Sequence, residues 1–344
     1  MILVTGGAGF IGSNFILDWL IESDEAVLNV DKLTYAGSIM TLKSIDSNPK
    51  YIFSCIDICD RKAIDLLFSE YSPRAVLNFA AESHVDRSIY YNPDDFVKTN
   101  ILGTFTLLEA SCAYLKTLKS VDKATFRFLQ VSTDEVFGCL SVTDQPSYES
   151  SSYAPNNLYS ATKAGSDHLV RAYHHTHGLP TLTTNCSNNY GPYQFPEKLI
   201  PLMITNALAG KLLPVYGDGK NIRDWIYVGD HCRAIREILK RGIPGETYNI
   251  GSWNEKENIN IVYSLCDLLD IMLPKTIGSY RDQITYVADR PGHDRRYAID
   301  SQKLENELSW KPIETFETGL KKTVYWYLNN KHWIDEALSY KDYN

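Results

Sequence analysis

Short hydrophobic runs alternate with longer stretches of helical periodicity in the first half of the chain. The predicted strands are the apolar runs Ile2–Thr5, Ala26–Asp31, Tyr51–Cys55, Ala75–Phe79, Phe126–Ser132 and Thr181–Cys186. The predicted helices between them are Phe10–Ile21, Arg61–Tyr71, Pro93–Leu115 and Leu158–Thr176. This alternation predicts an α/β fold with a doubly wound parallel sheet, whose ligands bind beyond the carboxyl ends of the strands.

The pattern changes after residue 190, where glycine and proline interrupt the chain more often. The helices predicted in this second part are Leu199–Ala209, Asp230–Lys240, Ile259–Asp270 and Phe316–Leu328. The change predicts a larger unit over residues 1–190 and a smaller C-terminal α/β subdomain over residues 191–344. Later elements can cross the boundary between the two.

Composition and charge exclude several classes of function. The chain has 344 residues and a formal net charge of −8, which argues against a nucleic-acid partner. No apolar run approaches the roughly 20 residues of a membrane span, and the first strand follows Met1 directly, so we expect no signal peptide. The seven cysteines include no C-x-x-C pair, which favours a reducing cytoplasm and no structural metal.

A glycine-rich segment, Gly6-Gly7-Ala8-Gly9-Phe10-Ile11-Gly12, joins the first predicted strand to the first predicted helix. Glycines allow a tight turn and a close approach of the backbone to a pyrophosphate, and the helix N-terminus offers N–H donors. A glycine turn without a ligand is the alternative, and the strand–turn–helix context argues against it. The segment predicts a Rossmann-type dinucleotide site in residues 1–190.

Acidic and small residues follow the next strands. Asp31 ends the second strand, where a carboxylate accepts hydrogen bonds from ribose hydroxyls and repels a 2′-phosphate, which favours NAD over NADP. A capping aspartate at the surface is the alternative. Asp57 is a candidate contact to the adenine edge, and Phe79, Ala80 and Ala81 leave room for a cofactor against the backbone.

Two groups of residues are candidates for catalysis. Tyr159 and Lys163 lie four residues apart on a predicted helix, where a lysine next to a tyrosine is expected to lower the phenol pKa and make it a base. Thr133, Asp134 and Glu135 follow the fifth strand, and two carboxylates in different environments can supply the acid and the base that elimination of water needs. A chance Tyr–Lys pair and a helix-capping Asp–Glu pair are the alternatives.

These motifs make the chain similar to a known family almost from end to end, from Ile2 to Leu328. The matching segments are the glycine loop, the two catalytic groups and residues 78–88, 99–104, 184–201, 217–225 and 289–300. The chain resembles the extended short-chain dehydrogenases/reductases of the NAD-dependent epimerase/dehydratase type, and within them the nucleotide-sugar 4,6-dehydratases. The Thr133-Asp134-Glu135 triplet carries most of this specificity, because related 4-epimerases have small or hydroxyl residues in place of the two acids.

The resemblance implies a carbon–oxygen lyase that acts on dTDP-glucose. Oxidation at carbon 4, elimination of water across carbons 5 and 6 and hydride return to carbon 6 give dTDP-4-keto-6-deoxyglucose, a precursor of deoxysugars such as dTDP-rhamnose. NAD is regenerated in each turnover and is expected to stay tightly bound. The residues that the resemblance assigns to NAD are Gly6, Gly9, Phe10, Ile11, Gly12, Asp31, Lys32, Thr34, Asp57, Ile58, Phe79, Ala80, Ala81, Ser83, Thr99, Val131, Tyr159, Lys163, Cys186 and Asn189.

The resemblance also assigns substrate binding, chiefly to the smaller subdomain. The expected contacts are Ser83, Thr133, Asn188, Lys198, Leu199, Pro214, Tyr216, Arg223, Asn258, Asp289, Arg290 and His293. A homodimer is expected in which Pro93–Leu115 and Leu158–Thr176 of each subunit form a four-helix bundle. Three other functions stay open: a UDP-sugar 4-epimerase, a 4,6-dehydratase for another nucleotide, and a non-enzymatic Rossmann NAD sensor.

Overall fold

The structure, a computed structural model, describes residues 1–341 of the chain. The strands are β1 (Ile2–Thr5), β2 (Val27–Val30), β3 (Tyr51–Ser54), β4 (Ala75–Asn78), β5 (Arg127–Thr133), β6 (Thr181–Cys186), β7 (Asn188–Tyr190), β8 (Leu213–Tyr216), β9 (Ile222–Tyr227), β10 (Thr247–Ile250), β11 (Glu255–Glu257) and β12 (Ile284–Val287). The helices are α1 (Phe10–Glu22), α2 (Arg61–Tyr71), α3 (Val85–Tyr90), α4 (Pro93–Phe96), α5 (Thr104–Thr117), α6 (Ser120–Thr125), α7 (Leu158–His177), α8 (Leu199–Leu208), α9 (Val228–Arg241), α10 (Asn258–Met272), α11 (Gln302–Leu308), α12 (Phe316–Asn329) and α13 (Lys331–Lys341).

The main sheet has seven parallel strands in the order β10-β6-β5-β4-β1-β2-β3. Its strands, apart from the half-buried edge strand β3, are buried on both faces because helices cover each side. In β1, Ile2 and Val4 pack into the core that contains α1 and α9, while Leu3 packs into the core that contains α2, α5 and α7. The predicted α/β fold with a doubly wound parallel sheet is confirmed.

The second part of the chain forms two small sheets around a core of its own. Strands β11, β9 and β7 form one sheet, and β12 pairs with β8 in the other. Helices α8, α10 and α12 pack against them through a separate hydrophobic cluster. The chain crosses back twice: α9 and β10 join the main sheet, with β10 paired to β6 at its edge, and α11 later packs against β10 through Leu304 and Leu308.

The helix predicted over Pro93–Leu115 is interrupted in the structure by a π-helical segment, Val97–Gly103, between α4 and α5. Asn100 in this segment accepts a hydrogen bond from the Glu82 backbone amide and donates to the Thr162 hydroxyl. These contacts fix the wider turn against the loop after β4 and against α7. Such π-turns recur at functional sites, and periodicity alone does not reveal them.

Three observations on residues 1–341 bear on the expectations about thiols, metal ions and membranes. All seven cysteines, which lie within residues 1–341, are free thiols. No group of three or more His, Cys, Asp or Glu side chains within the described residues could hold a metal ion. A helix long and apolar enough to span a membrane is absent from the same part of the chain.

Candidate active site

The glycine loop is shaped for close contact with a ligand. Gly6 has φ of +66°, and a Cβ added there would lie 2.6 Å from the Ala80 backbone nitrogen. A Cβ at Gly12 would lie 2.3 Å from the Gly6 carbonyl oxygen. Helix α1 begins after Gly9 with no side-chain cap and no acidic residue in its first turn. The N-terminus of α1 faces the cleft, and neither a capping side chain nor an acidic residue of the first turn neutralises its positive dipole end.

Asp31 lies beside this loop, at the carboxyl end of β2. Its side chain is buried and accepts hydrogen bonds from the backbone amides of Ala8 at 2.9 Å and Leu33 at 2.8 Å. Burial raises the pKa of this carboxyl, and the two amide donors oppose the shift. The carboxylate is thereby held rigidly next to the glycine turn, as the sequence predicted.

A cleft of about 290 Å³ runs over the carboxyl ends of the main-sheet strands. Every residue expected to contact NAD lines this cleft except Asp57. Asp57 instead accepts a hydrogen bond from the Cys59 amide at 2.9 Å and pairs with the Lys32 ammonium at 3.4 Å. Asp57 follows β3 at the edge of the cleft, where its chain neighbours Ile56 and Ile58 and its partner Lys32 belong to the lining, and its contact with the adenine stays a prediction.

Tyr159 and Lys163 project from the first turns of α7 into the same cleft. The Lys163 ammonium donates to the Val131 carbonyl at 2.7 Å. Burial and then the Glu135 charge raise the pKa of Tyr159 well above its ordinary value, and a hydrogen bond with Thr133 opposes the shift. The protein groups around Tyr159 therefore do not by themselves give the lowered phenol pKa that was predicted from Lys163. The Lys163 ammonium is directed to the β5 backbone instead.

Asp134 and Glu135 occupy a short turn of 3₁₀ helix at the end of β5. Asp134 is 3% exposed, and its Oδ2 is buried without a hydrogen-bond partner. Burial, followed by repulsion from Glu135, raises the pKa of Asp134 well above its ordinary value. Burial also raises the pKa of Glu135, but the Arg223 charge and a hydrogen bond from Asn157 oppose that shift. The two neighbouring carboxyls thus occupy environments that favour an acid at Asp134 and a base at Glu135.

A second cavity of about 200 Å³ opens from the smaller subdomain. Most residues expected to contact substrate line it, namely Ser83, Asn188, Lys198, Leu199, Pro214, Tyr216, Arg223, Asn258, Arg290 and His293. Thr133 lines the first cleft instead. Asp289 lines neither cavity. Its carboxylate accepts a hydrogen bond from the Arg290 amide, and its Oδ1 lies 2.6 Å from Nδ1 of His293. Its position therefore supports a role in holding His293 rather than a direct contact.

The two cavities meet at the catalytic carboxylate. Residues that line both are Ser83, Glu135, Asn188, Asn189, Gln194, Glu197 and Lys198. Buried cations lie close by: the Lys198 ammonium donates to the Ser83 carbonyl at 2.9 Å, and the Arg223 guanidinium donates to the Asp294 carbonyl at 2.8 Å. The side-chain oxygens of Asn188 and Asn258 are buried without a partner and can accept hydrogen bonds from a polar ligand.

The structure brings further residues to the site that the sequence analysis did not select. They are Asn157, Asp167, Gln194, Glu197, Asp294 and Tyr297. Two of them carried a readable signal: Asn157 stands at an N-cap position before α7, and Asp167 stands four residues after Lys163. Arg223 lies over the Tyr297 ring, 4.3 Å from its centroid, a contact between distant segments that spacing does not encode.

The sequence profile of a known family covers this whole arrangement. The family described as GDP-mannose 4,6 dehydratase matches residues 3–323. The chain belongs to this family. The match spans the main sheet with its glycine loop and nearly all of the smaller subdomain.

Members and structural neighbours of this group place the chain more narrowly. The dTDP-glucose 4,6-dehydratase of Neisseria meningitidis serogroup B is 56% identical over 341 residues, which cover 98% of this chain and 96% of that protein. The structure of the Streptomyces venezuelae dTDP-glucose 4,6-dehydratase, with NAD and TDP bound, has a TM-score of 0.88 and 42% identity, and the match covers 98% of this chain and 99% of that one.

An epimerase shares the fold at lower identity. The UDP-glucose 4-epimerase of Thermotoga maritima, solved with UDP-glucose, has a TM-score of 0.82 and 29% identity over 96% of this chain and 99% of that one. Fold alone therefore does not separate the two activities, and the side chains at the site must do so.

Proposed function

We propose that this protein is an NAD-dependent dTDP-glucose 4,6-dehydratase, which converts dTDP-glucose to dTDP-4-keto-6-deoxyglucose and water. The observation that carries the proposal is the Asp134–Glu135 pair, with its two environments, beside Tyr159 at the junction of the two cavities. The identity of 56% to a dTDP-glucose 4,6-dehydratase over nearly the full length supports the same activity.

The first cleft fits a dinucleotide. A Cβ at Gly6 or Gly12 would collide with the backbone of Ala80 or of Gly6, so the tight turn requires glycine, and the uncapped N-terminus of α1 suits a pyrophosphate. Asp31 would accept hydrogen bonds from the adenosine ribose. The chemistry that NAD supplies when bound is hydride acceptance from sugar carbon 4, hydride return to carbon 6 and a positive nicotinamide charge that favours the ionised phenol. In this assignment residues 1–190 hold NAD, apart from elements that cross the boundary, and residues 191–344 hold most of the nucleotide sugar.

Three side chains move the protons, and Thr133 assists one of them. Tyr159 takes the proton of the sugar 4-hydroxyl, with Thr133 as its hydrogen-bond partner. The resulting ketone acidifies the hydrogen on carbon 5, and Glu135 removes it as a proton. Asp134, whose burial raises its pKa and so favours the protonated form, protonates the departing 6-hydroxyl to give water. Glu135 then returns a proton to carbon 5.

The second cavity accommodates the nucleoside diphosphate. Arg223 and Lys198 provide positive charge for the diphosphate, and Asn188 and Asn258 offer unpartnered oxygens for hydroxyl or amide donors. Tyr216 and Pro214 line the far wall and are assigned to the base, with Arg290 stacked on the Tyr216 ring at 4.8 Å. The phenyl edge and proline ring give apolar contact for the thymine methyl group.

A homodimer through a four-helix bundle is part of the proposal. The segment from α3 to α5 exposes large apolar side chains, among them Val97 at 46%, Leu102 at 49% and Phe105 at 41%. The neighbouring face of α7 carries small exposed residues, including Ala161 and Ala172, which allow close helix approach. The seven free thiols support a reducing cytoplasmic location.

The test is incubation of the purified protein with dTDP-glucose and no added NAD, followed by mass spectrometry of the nucleotide sugar. We expect loss of one water and a keto product, with NAD carried through purification. UDP-glucose in a parallel incubation is the control for the epimerase alternative, with the 4-epimers separated by chromatography because epimerisation leaves the mass unchanged. If the mass of dTDP-glucose stays unchanged even after NAD is added, the proposal is wrong.

A further inference from the structure

A buried carboxyl lies behind the catalytic lysine. Asp167 stands one helical turn after Lys163 on α7 and is 4% exposed. Its Oδ2 accepts hydrogen bonds from the Ser132 hydroxyl at 2.6 Å and from the Tyr153 hydroxyl at 3.3 Å. Its Oδ1 is buried with no hydrogen-bond partner. None of the roles assigned so far uses this group.

The buried ammonium of Lys163 requires a negatively charged group nearby to stay protonated. Lys163 is 3% exposed, and the hydrogen-bond acceptor of its ammonium is the neutral carbonyl of Val131. A buried ammonium without a counter-charge loses its proton readily. Burial lowers the pKa of Lys163, and the charge of Asp167 is the main influence that opposes the shift.

The other titratable groups around Lys163 do not supply this charge at neutral pH. Burial raises the pKa of the Cys186 thiol, on the neighbouring strand, to about 12. The pKa values of Tyr159 and Tyr153 are raised as well, chiefly by burial. Burial raises the pKa of Asp167 itself only to about 6, with Lys163 opposing the shift, so this carboxyl is ionised at neutral pH.

We propose that Asp167 is a positioning residue that keeps Lys163 as a buried ammonium facing the cofactor cleft, through its charge and its fixed place one turn along α7. The inference rests on the proposed dehydratase function. Ser132 and Tyr153 hold Asp167 from β5 and from the loop before α7, which fixes the carboxylate on the face of α7 that also carries Lys163. Tyr159, Lys163 and Asp167 thus follow one another at intervals of four residues along one face of α7.

The loss of the negative charge at Asp167 sets the direction in which activity should change with pH. Replacing Asp167 by Asn removes the negative charge and lowers the pKa of Lys163 further. Lys163 is charged below its pKa, so the variant keeps activity at low pH and loses it as pH rises through the lowered value. A purely structural defect would instead scale activity down by the same factor at every pH.

The experiment compares kcat for water loss in wild type and Asp167→Asn between about pH 6 and about pH 9. We expect the ratio of variant to wild type to fall about tenfold or more from the acid to the alkaline end. Asp230→Asn is the matched control, because Asp230 is also 4% exposed, lies on another helix and touches neither cavity. Its ratio should be constant with pH.

A second variant keeps the inference testable if Asp167→Asn does not fold. Ser132→Ala removes a hydrogen bond that holds the Asp167 carboxylate in place, so the alkaline limb of kcat should move to lower pH, in the same direction as in Asp167→Asn but by less. An Asp167→Asn ratio that is flat with pH in a folded protein overturns the inference, as does an unmoved alkaline limb in Ser132→Ala. Wild type that fails to dehydrate dTDP-glucose would instead contradict the proposed function.

Discussion

Asn157 connects the start of α7 to the catalytic carboxylate. Its side-chain oxygen accepts a hydrogen bond from the Ser160 amide at 2.9 Å, and its side-chain nitrogen donates to Glu135 Oε2 at 3.3 Å. One residue therefore caps the helix that carries Tyr159 and also favours the ionised form of Glu135. Asn157 thereby fixes the position of Glu135, the proposed base, relative to the helix that carries Tyr159.

Asn157→Asp separates these two roles. Aspartate caps a helix as well as asparagine does, so the free energy of unfolding should change little, whereas Asn157→Ala should lower it by about 1 kcal/mol. Both changes remove the donor to Glu135 and raise its pKa. Since Glu135 acts as a base above its pKa, the acid limb of kcat should move to higher pH in both variants, and further in Asn157→Asp.

The control for this prediction is Thr315→Ala. Thr315 caps α12 by accepting from the Thr318 amide at 3.2 Å and lies outside both cavities. Denaturant unfolding should show a similar loss of stability, with no change in the pH profile. Unchanged acid limbs in the two Asn157 variants would show that this contact does not tune Glu135.

Asp134→Asn and Glu135→Gln should stall the reaction at the same stage but in distinguishable ways. Each removes one partner of the elimination, so kcat should fall by about 10² to 10⁴ while the absorbance of reduced nicotinamide builds up. In Asp134→Asn the base remains, and the hydrogen on carbon 5 should still exchange with deuterium from the solvent. In Glu135→Gln that exchange should be lost.

Mass spectrometry of the sugar recovered from D₂O checks this prediction. Equal exchange in the two variants would contradict the separate roles of acid and base. Tyr159→Phe serves as the control, because it blocks oxidation and should show neither reduced nicotinamide nor exchange.

Asp31→Ala should weaken NAD binding and relax selection against NADP. The change removes the acceptor for a ribose hydroxyl and the negative charge that repels a 2′-phosphate. NAD retained after gel filtration should decrease, and activity should be restored by added NAD. Lys50, which pairs with Asp24 on the surface, provides the control variant Lys50→Ala, whose NAD content should match wild type. Full retention of NAD in Asp31→Ala would contradict the assigned contact.

Much of this site was predictable because its residues lie at strand ends or at fixed helical spacing. The glycine loop, Asp31 and the Tyr159–Lys163 pair are local patterns, and the parallel sheet brings their strand ends to one edge. The position of Asp57 after β3 was equally clear, but its hydrogen bonds with the Cys59 amide and with Lys32 depend on the conformation of the loop, which the sequence pattern does not reveal.

The second cavity was harder to predict because it is assembled from distant segments. The short strands β8, β9, β11 and β12 mix polar and apolar residues, so periodicity did not reveal them. The stacking of Arg223 on Tyr297 depends on their packing. The sequence predicted the paired acids, and the resemblance implied that Asp134 is the acid and Glu135 the base. The physical difference between their surroundings depends on the fold, because Arg223 and Asn157 oppose the raised pKa at Glu135 whereas Glu135 itself adds to it at Asp134.

Phe105→Glu should convert the proposed dimer to a monomer. Phe105 is 41% exposed on α5 and packs edge-on against Tyr173 of α7, with the ring centroids 6.3 Å apart. A charge at this point would be buried without a partner if two subunits packed through these helices. Analytical ultracentrifugation of the variant should give the monomer mass, whereas Val121→Glu, at a site 77% exposed on α6, should keep the mass of wild type. A Phe105→Glu protein that sediments like wild type would exclude this face as the subunit interface.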